Sequence, residues 1–198
     1  MKFLNTFLLA ASLAVTFLAS CSTEIKPAFL ATDITGATFG RDFKLADHTG
    51  KTRSLADFRG KVVVMFFGYT HCPDICPATM GELAATMKKL GDKAERVQVL
   101  FVTIDPERDT PELLARYVSA FDPVFLGLSG DMQATKDVAQ EFKVSYDKQA
   151  GETPGQHNMD HASGTYIFDI AGKLRLYVSN GKGAEVFAHD IAELLRTP

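Results

Sequence analysis

The sequence is poor in cysteine. Its 198 residues contain three, Cys21, Cys72 and Cys76. Small exported scaffolds that rely on staples are rich in cysteine pairs, and here one pair at most can form inside a folded segment. Cys72 and Cys76 would close a very small loop, which contributes least in the chain-entropy account of disulfides. The chain also lacks a basic cluster, and its formal net charge is −3, which argues against nucleic acid as a partner. It lacks internal repeats and low-complexity segments. Composition and length then point to one globular domain.

The chain starts with a short positive Met1-Lys2, followed by an apolar stretch from Phe3 to Leu18 and small residues at Leu18-Ala19-Ser20. This pattern predicts a secretory signal peptide over residues 1–20. A short uncleaved membrane anchor is the alternative, since the stretch is near the lower limit for spanning a bilayer. Leu18-Ala19-Ser20-Cys21 resembles the bacterial lipoprotein signal, in which the cysteine becomes the lipidated first residue. That accounts for the isolation of Cys21. The expectation is an exported lipoprotein, with residues 21–37 as a lipid-anchored tether and 38–198 as a domain facing the periplasm in a bacterial cell envelope. Ser22 points to outer-membrane sorting. Loss of Lys2 with the leader takes the net charge to −4. A mature chain of about 178 residues is long enough to bury a core without staples.

Within the domain, Phe43–Asp47 and Thr52–Leu55 flank His48-Thr49-Gly50 as an N-terminal β-hairpin. Val62 to Phe67 is an unbroken apolar run, read as a strand buried on both faces and ended by Gly68. After Pro77, Met80, Leu83, Met87 and Leu90 follow at helical spacing. Val97 to Ile104 is a second buried strand. Thr110-Pro111-Glu112 opens a helix with an N-cap, proline at N1 and an acid near the positive end of the dipole. A third strand is expected over Val124–Leu128 and a helix over Asp131–Phe142. Tyr146 to Met159 shows no period and is read as a long loop, a type that is usually functional or mobile. Strands at Thr165–Phe168 and Leu174–Val178 around Asp169-Ile170-Ala171-Gly172, and a helix over Ala184–Leu195, close the chain. The order predicts an α/β fold, a mixed sheet flanked by helices. A cysteine pair between the first central strand and a helix is the thioredoxin-like arrangement.

Cys72 and Cys76 each precede a proline, which disfavours the α region at both cysteines. With Pro77 at N1, Cys76 becomes the N-cap, its sulfur facing the positive helix end where thiolates are favoured. Two chemistries compete for such a pair. One is thiol–disulfide exchange, although the usual redox motif has two intervening residues and this one has three. The other is binding of a soft metal such as copper(I), zinc or an iron–sulfur cluster. A metal needs a third donor. His161, at the end of the expected loop, is one candidate, with His157 and Met159 as rivals. His71, His48 and His189 read as surface residues.

Three motifs taken together resemble the Sco/SenC family. They are Gly68-Tyr69-Thr70-His71-Cys72-Pro73-Asp74-Ile75-Cys76-Pro77, Thr103-Ile104-Asp105-Pro106-Glu107-Arg108-Asp109-Thr110-Pro111, and Asp160-His161 before a strand. The resemblance covers roughly residues 38–196. It implies a membrane-tethered, thioredoxin-like copper protein that assists assembly of the dinuclear copper centre (CuA) in subunit II of cytochrome c oxidase. It further implies copper ligation by Cys72, Cys76 and His161. Ile75 stands where valine is common and Ala162 where serine or threonine is frequent; neither removes a ligand. Asp105 and Asp109 match the family's acidic motif and are expected either to orient the site from outside the ligand set, or simply to end a strand and cap a helix. The alternative function is a membrane-tethered thiol–disulfide reductase acting on the cysteines of exported copper proteins.

Overall fold

The computed structural model describes residues 28–150 and 157–196; the expected signal peptide, Cys21 and the first part of the tether lie outside the described residues. In chain order the elements are β1 (Thr32–Asp33), β2 (Leu45–Asp47), β3 (Thr52–Arg53), a 3-10 turn at Leu55–Phe58, β4 (Val62–Gly68), α1 (Ile75–Leu90), a second 3-10 turn at Gly91–Arg96, β5 (Val97–Thr103), α2 (Pro111–Ser119), β6 (Leu126–Ser129), α3 (Met132–Glu141), β7 (Tyr146–Ala150), β8 (His157–His161), β9 (Thr165–Phe168), β10 (Leu174–Val178) and α4 (Gly183–Arg196). Eight strands form one mixed sheet in the order β1-β10-β9-β4-β5-β6-β2-β3. β4, β5 and β6 run parallel, joined by crossovers through α1 and α2, and β9 pairs antiparallel to β4. This is the thioredoxin-like mixed sheet flanked by helices that the strand–turn–helix pattern predicts.

Every residue of β4 is buried, as its unbroken apolar run requires. Alternate side chains point to opposite faces. Val62, Val64 and Phe66 join a core built with α1, α2 and α4, while Val63, Met65 and Phe67 join one built with α3 and the N-terminal hairpin. Met80, Leu83, Met87 and Leu90 form the buried face of α1. The start of α2 follows the sequence signals: Thr110 is the N-cap, its hydroxyl accepts from the Leu113 amide, and Pro111 is the first helical residue.

The β2–β3 hairpin turns on Asp47, whose side chain is buried. One carboxylate oxygen accepts from the Thr49 amide, the Thr49 hydroxyl and the Lys51 amide, and the other from Arg53 Nε at 2.7 Å. Burial pushes this carboxyl up, but the bonds from Thr49, Arg53 and Lys51 outweigh it and bring it down to about 2.

Four expectations are corrected. The third strand begins at Leu126 rather than Val124, because the Asp122 side chain and carbonyl take the amides of Val124 and Phe125 in a tight turn. The stretch from Tyr146 to Met159 is not a plain loop: β7 and β8 pair antiparallel with Tyr146 opposite His161 and Ala150 opposite His157. That hairpin has no apolar alternation because four of the five β7 residues are exposed, so its pairing satisfies its own backbone. Sheet structure also reaches into the stretch read as tether, since β1 pairs with β10. His48 is half-buried and accepts from the Gly127 amide, so it is not an ordinary surface residue.

Candidate metal centre

The cysteine turn hangs between the end of β4 and the start of α1. Gly68, the last strand residue, lies against the Cys76 sulfur; a Cβ there would sit 2.7 Å from Sγ. α1 begins before the second cysteine. Its N-cap is Asp74, and the first helical bond runs from the Ala78 amide to the Asp74 carbonyl. Cys76 is therefore inside the first turn and fully buried. Pro77 still fits, because the first-turn amides need no partner within the helix.

The cap is supplied instead by the other sulfur. The Cys76 amide donates to Cys72 Sγ at 3.4 Å. The two thiols are consequently unequal. Cys72, half-buried, is held well below the ordinary thiol range, first by the hydrogen bond from the Cys76 side chain; partial burial opposes this, and His161 and the amides of Cys76 and Asp74 add to it. Cys76 is pushed up by its donation to Cys72 and by burial. The expectation that Cys76 carries the stabilised thiolate at the helix end is thus reversed. The helix starts two residues earlier than the proline suggests, so the positive helix end faces Cys72.

β8 delivers the histidine. His161 Nε2 lies 3.7 Å from Cys76 Sγ, and Cys72 Sγ, Cys76 Sγ and a His161 ring nitrogen all fall within 4.8 Å of one another. His161 Nδ1 is 3.1 Å from the Ala162 carbonyl. A carbonyl can only accept, so Nδ1 donates to it, and Nε2 is the ring nitrogen that faces the sulfurs. The rings of Phe66 and Tyr69 present their edges or faces to the imidazole at 6.4 and 6.1 Å. Two thiols and one imidazole nitrogen form a soft donor set that suits copper, zinc or iron–sulfur chemistry.

The other candidates go elsewhere. His157 meets Asp105, with Nε2 at 3.1 Å from Oδ2, and does not reach the sulfurs. Met159 is buried in the core. His71 is half exposed beside Thr70. His189 is partly exposed and bonds to the buried Asp190. Neither Asp105 nor Asp109 is among the three convergent donors. Asp109 is buried and accepts from the Thr70 amide, the Thr70 hydroxyl at 2.6 Å and the Thr103 hydroxyl at 2.6 Å. It ties the cysteine turn to the end of β5; Thr110, not Asp109, caps α2. Asp105 is bound by Arg108 and His157. Sequence reasoning missed Thr70 and Thr103 as the partners of Asp109. A buried carboxylate needs donors, and two threonines in the flanking motifs were the available signal.

Comparison with known proteins follows the same lines. The SCO1/SenC family model matches residues 31–196. The mitochondrial SCO2 homolog of Bos taurus is 40% identical over 148 residues, 73% of this chain and 55% of that protein. The chain thus spans little more than half the length of this mammalian relative. Among solved structures, Bradyrhizobium japonicum ScoI with copper bound matches with a TM-score of 0.71 and 36% identity over 80% of this chain and 100% of that one. Apo Sco1 from Thermus thermophilus matches with a TM-score of 0.76 and 40% identity over 86% of this chain and 99% of that one.

Proposed function

This chain belongs to the SCO1/SenC family, and from that premise we propose that it is an exported copper chaperone serving the assembly of a copper centre in cytochrome c oxidase. Cys72, Cys76 and His161 are the ligands. The observation that carries the reading is the convergence of these three soft donors within 4.8 Å at one end of the sheet. The family likeness to a copper-bound ScoI supports the choice of metal. Binding takes the dithiol as two thiolates, so the Cys76 proton leaves as copper enters. Oxidation to a disulfide removes both sulfur donors together and switches binding off. Asp109 acts from outside the ligand set by fixing the turn that carries Cys72.

The acceptor is subunit II of cytochrome c oxidase or another exported copper protein. The domain is held at the membrane by lipidated Cys21 and faces the periplasm of a bacterial envelope. The Ser22 signal favours the outer membrane, whereas an oxidase acceptor favours the inner one.

The unequal thiols favour a second reading, a tethered thiol–disulfide reductase. A low-pKa, partly exposed Cys72 is built to attack a target disulfide, and buried Cys76 to resolve the mixed disulfide. The target then leaves with two thiols, and the pair here becomes a disulfide. The two readings are compatible, because reducing the acceptor's cysteines prepares them for copper.

The test is an anaerobic copper(I) titration of the reduced full chain in detergent, run beside Cys72→Ser, Cys76→Ser and His161→Ala. One copper per chain that withstands a strong competing chelator, lost in all three variants, is the expected result. A wild-type protein that surrenders its copper yet reduces a protein disulfide, with His161→Ala equally active, would leave the reductase reading alone.

A further inference from the structure

The hairpin that carries His161 is a sheet of its own. Neither β7 nor β8 pairs with a strand of the main sheet. A set of polar ties joins it to the body at the end away from the sulfurs. His157 Nε2 is 3.1 Å from Asp105 Oδ2. Arg108 joins the same cluster twice: Nε donates to Asp105 Oδ2 at 2.5 Å, and Nη1 donates to the His157 carbonyl at 2.8 Å. The side chains of Asp105 and His157 are 3% and 11% exposed, so these contacts are shielded from water. The Lys148–Glu107 pair at 2.6 Å is about half exposed at both ends and contributes little.

His157, Met159 and His161 alternate onto one face of β8. Met159 is buried between them, in the same core as Tyr69. The Tyr69 ring in turn lies 6.1 Å from the His161 ring, centroid to centroid, and takes the Arg108 guanidinium at 5.8 Å. One strand face therefore connects the Asp105 cluster to the third donor.

We propose that His157 and Arg108 are positioning residues that clamp the β7–β8 hairpin to the Asp105 carboxylate and so hold the His161 imidazole at the dithiol. The inference rests on the copper reading of the site. Asp105, Glu107 and His157 also have donor atoms within 4.8 Å of one another, as a second metal cluster would. The local charges oppose that. Asp105 already carries the Arg108 guanidinium and Glu107 the Lys148 ammonium, so two cations stand where a metal ion would have to enter.

The experiment measures copper(I) affinity of the reduced full chain against chelators of graded strength. It compares wild type, His157→Ala, His157→Gln, Arg108→Gln, His161→Ala and the His157→Ala/His161→Ala double variant. Loss of a partner outside the ligand set commonly weakens metal binding about tenfold or more. That loss is expected for His157→Ala and Arg108→Gln, with most of it restored in His157→Gln, whose amide can donate to Asp105. Adding His157→Ala to His161→Ala should change nothing further, because the clamp acts only through that ligand. Wild-type affinity in His157→Ala would overturn the clamp. So would an equal loss in the His161→Ala background, or a second copper that disappears with His157. Should the wild type hold no copper, the copper reading falls, and amide hydrogen exchange decides the clamp separately: faster exchange over residues 157–161 in His157→Ala supports it, and unchanged exchange overturns it.

Discussion

Replacing Gly68 with alanine tests how tightly the dithiol is built. The new Cβ would lie 2.7 Å from Cys76 Sγ, 3.0 Å from the Phe101 ring and 3.2 Å from the Phe66 ring. Unstrained heavy-atom contacts lie at roughly 3.5–4 Å, so the sulfur is about 1 Å too close. None of the three neighbours can yield at a loose end. Cys76, Phe66 and Phe101 are all fully buried, and the two rings pack on each other at 6.1 Å. Overpacking of this kind costs about 1–3 kcal/mol. A loss of about 2 kcal/mol lowers the melting temperature of a domain this size by about 4–8 °C. The easiest relief is rotation of the Cys76 side chain, which carries Sγ out of its 3.7 Å relation to His161 Nε2. Copper retention should therefore fall together with stability. Thermal unfolding and chelator competition on the same sample measure both. Gly81 is the control: it lies within α1 with nothing near its Cβ position, so alanine there should stabilise by about 0.5–1 kcal/mol and leave copper untouched. A Gly68→Ala protein that melts with wild type and keeps its copper would refute the reasoning.

Two further outcomes follow from the titrating groups. Because Cys72 is held below the ordinary thiol range and Cys76 above it, iodoacetamide at pH 6 should label Cys72 and spare Cys76; peptide mass spectrometry reads the ratio, and equal labelling would contradict the assignment. The labelling rate at Cys72 should stay flat from pH 8 to pH 6, where an ordinary thiol slows about tenfold per unit. Asp47 is lowered from 3.8 to about 2, so its contribution is complete above about pH 4 and is lost as pH falls towards 2. The shift corresponds to about 2 kcal/mol. Denaturant unfolding of wild type should show that loss across the window, and Asp47→Asn should remove this part of the pH dependence; parallel acid profiles for the two proteins would rule it out.

The parts of the molecule legible in the sequence are those where one physical signal dominates. The all-apolar run of β4 fixes a buried central strand, and Thr110-Pro111 fixes the start of α2, because caps and proline act locally. The three ligand candidates were legible for another reason: soft donors are few in this chain, and the family motifs point to the three whose donor atoms the fold brings together. What failed was the local geometry around them. Proline after Cys76 suggested a helix starting at residue 77, but proline is tolerated throughout the first turn, so it marks the helix start only to within a turn. That difference of two residues moved the cap from Cys76 to Cys72 and reversed which thiol is acidic. β7 was illegible because strand detection relies on alternating apolar burial and four of its five residues are exposed; β8 does alternate, but two of its three inward residues are histidines, so the apolar signal is a single Met159. The role of Asp109 was equally hidden, since its donors Thr70 and Thr103 lie 39 and 6 residues away.

The site divides mechanically into two pieces. Both sulfurs belong to the strand–turn–helix unit, pinned by Gly68 beneath Cys76, by the Cys76 amide on Cys72, and by Asp109 on Thr70. The imidazole belongs to a separate two-stranded sheet. Moving the sulfurs means disturbing a fully buried β4 and the first turn of α1. Moving His161 means releasing a few polar contacts around Asp105 and the packing of the single buried side chain of β8, Met159. The energetic cost of withdrawing a ligand is therefore lowest at the histidine. On the copper reading, an acceptor's donor replaces His161 first and the dithiol last, which keeps the cargo bound to at least two sulfurs until the acceptor has taken hold. The clamp formed by His157 and Arg108 then sets the threshold for that first exchange, so loosening it should speed transfer to an acceptor peptide bearing two thiols even as it weakens equilibrium binding. A clamp variant that bound copper more weakly but delivered it no faster would place the rate-limiting step at the sulfurs instead.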